Sequence, residues 1–273
     1  MKVFVYESEA YPLREYFPEY LVPFLTSNLL QFTKDRLIHA SQDDGCQIFL
    51  PAWWGSRVSD SDEFSFHAGD IDEQLEQHQQ KEYELVVITS LSALWVGDLP
   101  PQDMAYIKQA PEKFFSNRGI MVGYLKQGQK LPEPTEFEDG FKNVVALTDG
   151  NYLRLNQGLL AGVTLNVQAA DTNARVFGEP LILSKQVSPG STICGPAFID
   201  KDVVIQDSYI GPGTIIRGNS QVFNSRVDGS FLLSASIHNS TISDGIVLGS
   251  QVEGVKLLPQ TKLMPGSNIA ADE

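Results

Sequence analysis

The chain has 273 residues, 42% of them apolar and 20% charged, a composition that fits one large globular domain or two. Its formal net charge of −14 argues against phosphate backbones and anionic lipid as partners, so neither nucleic acid nor a membrane surface is expected as a ligand. Cys46 and Cys194 are too few for a disulfide framework or a zinc site, and no apolar run approaches the roughly 18 residues of a membrane span.

Taken in order, Lys2–Tyr6 reads as a short buried strand with no secretory leader in front of it, and a reduced, cytoplasmic location is expected. Residues 11–24 are irregular and aromatic. Thr26 or Ser27 caps a predicted helix running to about His39, in which Leu30, Lys34, Leu37 and Ile38 return at helical spacing. Gly45 opens a second strand over 47–53, closed by Gly55. Between Asp60 and Glu84 nine acids face one base, Lys81, and the segment reads as solvated helix and loop. Residues 84–95 form the strongest strand of this half, rich in Val, Ile, Leu and Thr. Pro100-Pro101 starts a helix, where a missing N–H costs little, and Pro111 ends it or begins another. Gly119 reads as a helix stop before a strand over 120–125. A polar link over 127–135 then leads to a strand over 144–147. Strands alternating with helices predict a small α/β layer with a mostly parallel sheet over residues 1–175.

The texture changes near residue 175. From Leu181 onward an aliphatic residue returns every five or six positions: Leu181, Val187, Ile193, Ile199, Ile205, Ile210, Ile216, Val222, Val227, Leu233, Ile237, Ile242, Leu248, Val252, then Leu263 and Ile269. Most intervals are six, several are five and two are four. A short period held this long marks a solenoid whose coils bury their apolar faces only by stacking. Read as hexads, residues 176–273 form about five triangular coils of a parallel β-helix. The charge lies elsewhere. Residues 1–180 hold twenty-six acids and fourteen bases, whereas residues 181–273 hold eight and six.

The segments Gly195-Pro196-Ala197-Phe198-Ile199-Asp200 and Asp207-Ser208-Tyr209-Ile210-Gly211-Pro212-Gly213-Thr214 resemble the C-terminal helix of long-type glucose-1-phosphate thymidylyltransferases. The "xNSxI" rhythm of Asn224-Ser225-Arg226-Val227 and Asn239-Ser240-Thr241-Ile242 continues the likeness. The resemblance implies a left-handed parallel β-helix of hexapeptide repeats, and in such relatives that helix mainly assembles subunits. The first half loosely resembles the reduced nucleotidyltransferase domain of proteins similar to the bifunctional uridylyltransferase/glucosamine-1-phosphate acetyltransferase. The matching residues are Met1–Tyr6, Glu7, Glu9, Tyr16-Phe17-Pro18, Pro23-Phe24, Lys34 and Tyr152-Leu153-Arg154-Leu155-Asn156. The family's glycine-rich phosphate loop has no counterpart, because Glu7-Ser8-Glu9-Ala10-Tyr11-Pro12 follows the first strand. Phosphate binding at such a loop needs backbone N–H groups and a cation at close range.

Each candidate site residue has a chemical and an ordinary reading. Gly97-Asp98 is similar to the Mg²⁺-binding Gly-Asp of sugar nucleotidyltransferases, where the ion bridges phosphates; its ordinary reading is a helix N-terminal acid ahead of Pro100-Pro101. Lys34 and Arg36 would meet a sugar phosphate or complement their helix's C-terminal end, and Arg57 is a third cation of the same kind or an ordinary loop charge. Trp53-Trp54 offers a stacking platform for a sugar face, or packing at a strand end. His238 matches the general base of hexapeptide acyltransferases, which take acetyl-CoA. It follows an inward aliphatic, however, and so points outward, and no loop breaks the hexads beside it.

These readings lead to a homo-oligomeric, nucleotidyltransferase-like protein without the glycine-rich loop, acting as a scaffold or a sugar-phosphate-binding subunit. The alternative is an active sugar-1-phosphate nucleotidyltransferase using Mg²⁺, or a hexapeptide acyltransferase using acetyl-CoA.

Overall fold

The computed structural model of the protein describes residues 1–6, 11–15, 17, 22–25, 27–41, 47–51, 64–67, 83–95, 101–110, 113–117, 119–126, 130–138, 140–160, 170 and 173–271. They fall into two compact units, Met1–Pro23 with Ser27–Asp149, and Phe24–Thr26 with Gly150–Glu273.

The first unit is built on a seven-stranded mixed sheet. From one edge its strands are Phe64–His67, Gln47–Pro51, Lys2–Tyr6, Tyr83–Ser90, Ile120–Lys126, Phe114–Asn117 and Thr135–Glu136. In chain order that is 3-2-1-4-6-5-7. The first four are mutually parallel, and Ile120–Lys126 runs antiparallel to both of its neighbours. Val3, Val5, Ile48, Leu50 and Val87 are buried, and so are Phe4, Phe49, Val86 and Ile88 from the alternate positions. Both sheet faces are therefore covered, and this is why these strands read as unbroken apolar runs. Phe4 stacks on Phe49 with centroids 4.8 Å apart. Helix α1 (Leu29–Ser41) follows the first strand, and α2 (Pro101–Gln109) begins at the proline the sequence marked.

Four expectations for this unit need correction. The cap of α1 is Asn28, whose Oδ1 accepts from the Gln31 N–H at 2.9 Å, rather than Thr26 or Ser27. Phe64–His67 is a strand within the segment read as solvated helix and loop; its short alternation was masked by the surrounding acids. Gly119 ends no helix. It sits at φ +81° between Phe114–Asn117 and Ile120–Lys126, the left-handed conformation that a tight strand reversal requires. The apolar run over 84–95 is two strands, Tyr83–Ser90 and Ala93–Trp95, the second pairing antiparallel with Val144–Ala146. The sheet is accordingly larger and more mixed than expected.

The second unit is a parallel β-solenoid with three sheets. One carries Arg175–Phe177, Thr192–Cys194, Tyr209–Ile210, Arg226–Asp228 and Thr241–Ser243, and the other two hold six strands each. Its core is three stacked columns: Ile193, Ile210, Val227 and Ile242; then Ile182, Ile199, Ile216, Leu232, Val247 and Leu263; then Val187, Ile205, Val222, Ile237 and Val252. The registers give the coil length. Thr192 pairs with Tyr209 and Tyr209 with Arg226, 17 residues apart, but Arg226 pairs with Thr241, 15 apart. The early coils thus have sides of six, six and five residues. From Val222 to Leu257 every side has five, as Val222, Val227, Leu232, Ile237, Ile242, Val247, Val252 and Leu257 are all buried in one cluster.

Corners are set by residues in the left-handed region. One column of them is Asp207, Asn224, Asn239 and Gly254, at φ between +47° and +67°. Asn and Asp tolerate this conformation because their short polar side chains bond locally. The serines after the first three, Ser208, Ser225 and Ser240, are buried and bond along the stack. Ser225 N–H donates to Ser208 Oγ at 3.1 Å, Ser240 N–H to Ser225 Oγ at 3.0 Å, and Val255 N–H to Ser240 Oγ at 3.2 Å. The Asn-Ser rhythm of the sequence is this ladder.

Three residues read as inward point outward: Leu181, Leu233 and Leu248, with Ile182, Leu232 and Val247 taking the core positions. The reason is a second apolar column on the outside of that sheet, where Phe198, Ile215, Phe231 and Ile246 are buried. Helix α3 (Tyr152–Leu160) of the same unit lies against it. Its Tyr152 meets Phe231, and its Gln157 Nε2 donates to the Gly229 carbonyl and, at 3.3 Å, to Asp244 Oδ1. The segment 152–156, matched by resemblance to the family's first domain, is the start of this helix.

Candidate functional site

The strand order of the first unit fixes where a ligand site is expected. Strands added from the first one outward go to one side as Gln47–Pro51 and Phe64–His67, and to the other as Tyr83–Ser90. In open α/β sheets such a reversal leaves a crevice beyond the carboxyl ends of the two central strands, where ligands bind. Here those ends are Tyr6 and Ser90, which pair with one another across the sheet.

The described residues at these strand ends are rich in hydroxyls. Ser90 and Ser92 are buried, and Thr89 Oγ1 donates to the Ser90 carbonyl at 3.0 Å. The Ser92 carbonyl accepts from Leu147 N–H at 2.7 Å, which pins the turn after the strand. The Tyr6 hydroxyl donates to the Gly119 carbonyl at 3.1 Å. Such groups hydrogen-bond neutral or polyhydroxylated ligands and supply no positive charge. The Thr89–Ser92 cluster was not anticipated from the sequence; its one signal was that polar residues appear abruptly at the end of an otherwise apolar strand.

Of the residues singled out from the sequence, Asp98, Trp53, Trp54 and Arg57 lie outside the described residues, as do Glu7 and Glu9. Lys34 lies on α1 and is buried. A lysine this buried needs its ammonium satisfied within the fold. Among the described residues no group of three or more His, Cys, Asp or Glu is placed to hold a metal ion.

His238 stands on the solenoid, in the outward column between Phe223 and Glu253. Its Nε2 lies 3.0 Å from Ser236 Oγ, and its ring meets Phe223 edge-on at 4.9 Å. Ser236 and His238 share a face because they are two apart on one strand. On the neighbouring sheet Tyr209 also points out, with the Arg226 guanidinium 4.2 Å above its ring and Arg226 Nε 2.7 Å from Asp228 Oδ2. The Cys194 thiol bonded to the Tyr209 hydroxyl raises that phenol's pKa. Lys34 and His238 lie in separate units.

No protein-family model matches the chain, and no curated protein matches it.

Proposed function

We propose that the chain is a nucleotidyltransferase-like protein that lacks the glycine-rich nucleotide loop and acts as an oligomeric scaffold or a sugar-phosphate-binding subunit. The observation that carries the reading is the 3-2-1-4 order of parallel strands around Lys2–Tyr6, the arrangement of nucleotide-binding α/β sheets. In this chain the residues that follow the first strand read Glu7-Ser8-Glu9 instead of glycines. The hydroxyls of Ser90 and Ser92 favour a sugar over a triphosphate. On this reading the solenoid winds left-handed and joins copies of the chain, since a coil stack ends in strand edges that invite pairing.

A thermal-shift screen with sugar 1-phosphates, UTP, dTTP and acetyl-CoA tests it. Stabilisation by a sugar phosphate alone supports the binding subunit, and silence throughout supports the scaffold. A shift with nucleotide plus Mg²⁺, or with acetyl-CoA, would replace the proposal with the active nucleotidyl- or acyltransferase. Light scattering tests the assembly: a particle of 30.2 kDa, the mass of one chain, would remove it.

A further inference from the structure

The dipeptide Asn-Ser occurs three times in the solenoid, at Asn219-Ser220, Asn224-Ser225 and Asn239-Ser240. In each pair the asparagine is exposed and the serine buried. Two of the serines have their backbone N–H held by the ladder, Ser225 on Ser208 Oγ at 3.1 Å and Ser240 on Ser225 Oγ at 3.0 Å. The third differs. Val204 pairs with Gln221, so the residue beneath Ser220 is Val203, whose side chain has no oxygen. Ser220 Oγ donates to the Arg217 carbonyl and accepts from Ala235 N–H at 3.1 Å, but among the described residues its own N–H makes no hydrogen bond.

That N–H is the nucleophile of asparagine deamidation. The backbone nitrogen after an asparagine attacks the side-chain carbonyl carbon, the N–H proton leaves with the amide nitrogen as ammonia, and a five-membered succinimide forms. Water then opens the ring to aspartate or isoaspartate. A hydrogen bond that holds the N–H must break before the nitrogen can attack, so an accepted N–H is slower to react.

We propose that Asn219 is a spontaneous deamidation site of this protein and that the serine ladder protects Asn224 and Asn239. The flanking serine is the same in all three; the fold separates them by the hydrogen bond on the serine N–H and by the left-handed backbone of Asn224 and Asn239, and removing the acceptor alone isolates the first.

Peptide mass mapping of the full chain, held folded in mildly alkaline buffer, tests this. Asn219 is expected to convert about tenfold faster than Asn224 or Asn239, the factor that one hydrogen bond near the upper end of its usual net strength supplies. In denaturing urea the three rates should converge. Ser208→Ala removes the acceptor under Ser225 and should accelerate Asn224, whereas Ser208→Thr should leave it slow. Equal rates in the folded chain would overturn the proposal, as would a difference that persists in urea. So would an unchanged Asn224 in a folded Ser208→Ala variant; the wild-type comparison decides the matter if that variant does not fold.

Discussion

The ring of Tyr152 meets that of Phe231 edge to face, with centroids 5.9 Å apart and planes at 61°. Phe24 meets the same tyrosine at 6.3 Å, and Asn156, one turn further on, accepts from Leu25 N–H at 2.6 Å. Helix α3 is therefore seated on the solenoid by an aromatic contact and framed by buried hydrogen bonds. Phe231→Ala should cost about 3–5 kcal/mol, the usual loss for emptying a buried phenylalanine site. Phe231→Leu should cost under about 1.5 kcal/mol, because volume is nearly kept. Urea midpoints of the two variants measure this; equal midpoints would show that Phe231 anchors nothing.

This contact also explains where the sequence misled. The repeat was legible because inward positions must be aliphatic in every coil. Phase was lost at Leu181, Leu233 and Leu248, because on that sheet the outer column is apolar too and the helix covering it is distant in sequence. Two adjacent leucines, Leu232 and Leu233, carry no mark of which one faces in. In the first unit Lys2–Tyr6 and α2 were plain from apolar runs and a proline. The hairpin at Gly119 and the four-residue strand Phe64–His67 were hidden, one by a glycine with two meanings and one by flanking acids. The candidate site is a separate matter. A site gathered at strand ends depends on strand order, which no local pattern encodes.

The phase can be tested directly. Leu232→Asp places a carboxylate among Ile216, Val247 and their neighbours, where burial of an unpaired charge costs several kcal/mol, about 3 or more. Leu233→Asp, at a half-buried outward position, should cost clearly less. If calorimetric melting shows Leu233→Asp to be the more damaging change, the inward assignment is wrong. Tyr209→Ala, which removes an outward ring stacked under Arg226, should cost under about 1 kcal/mol.

Tyr152 also gives the protein an alkaline signature. Burial pushes its phenol well above the ordinary value of 10.0, opposed weakly by the charge of Arg217. The unfolded chain loses this proton near 10, while the folded chain retains it. Stability from this group is thus complete below pH 10 and declines as pH rises above it. Tyr152→Phe should flatten the fall of the urea midpoint above that pH while leaving neutral stability within about 1 kcal/mol. An unchanged alkaline slope would show that Tyr152 titrates like an exposed tyrosine.

The serine ladder makes a further prediction. Ser225→Ala leaves the buried N–H of Ser240 without an acceptor, a loss of about 1–3 kcal/mol. Asn239→Ala, at φ +49°, should cost about 1 kcal/mol from backbone strain alone, and Asn239→Gly should restore most of it. Identical melting of the alanine and glycine variants would remove the conformational argument.

Nucleotide binding in the ordinary nucleotidyltransferase manner should not occur. Such sites set backbone N–H groups and a cation against a triphosphate. The residues following the first strand are Glu7-Ser8-Glu9, and residues 1–180 already carry net −12. A carboxylate a few ångströms from a phosphate costs on the order of a few kcal/mol at an effective dielectric near 20. Each 1.4 kcal/mol weakens affinity about tenfold, so one such contact moves a micromolar site into the millimolar range or beyond. The described ends of the two central strands add hydroxyls from Tyr6 and Ser90, which do nothing to offset that repulsion. Calorimetric titration with UTP or dTTP, with and without Mg²⁺, should therefore show no binding at micromolar concentration. Glu7→Gln together with Glu9→Gln should relieve the repulsion and raise whatever weak affinity exists by about tenfold or more. Tight, Mg²⁺-assisted binding by the wild type, lost on Arg14→Ala, would mean that a cation outside the expected loop holds the phosphates, and the active transferase would become the better reading.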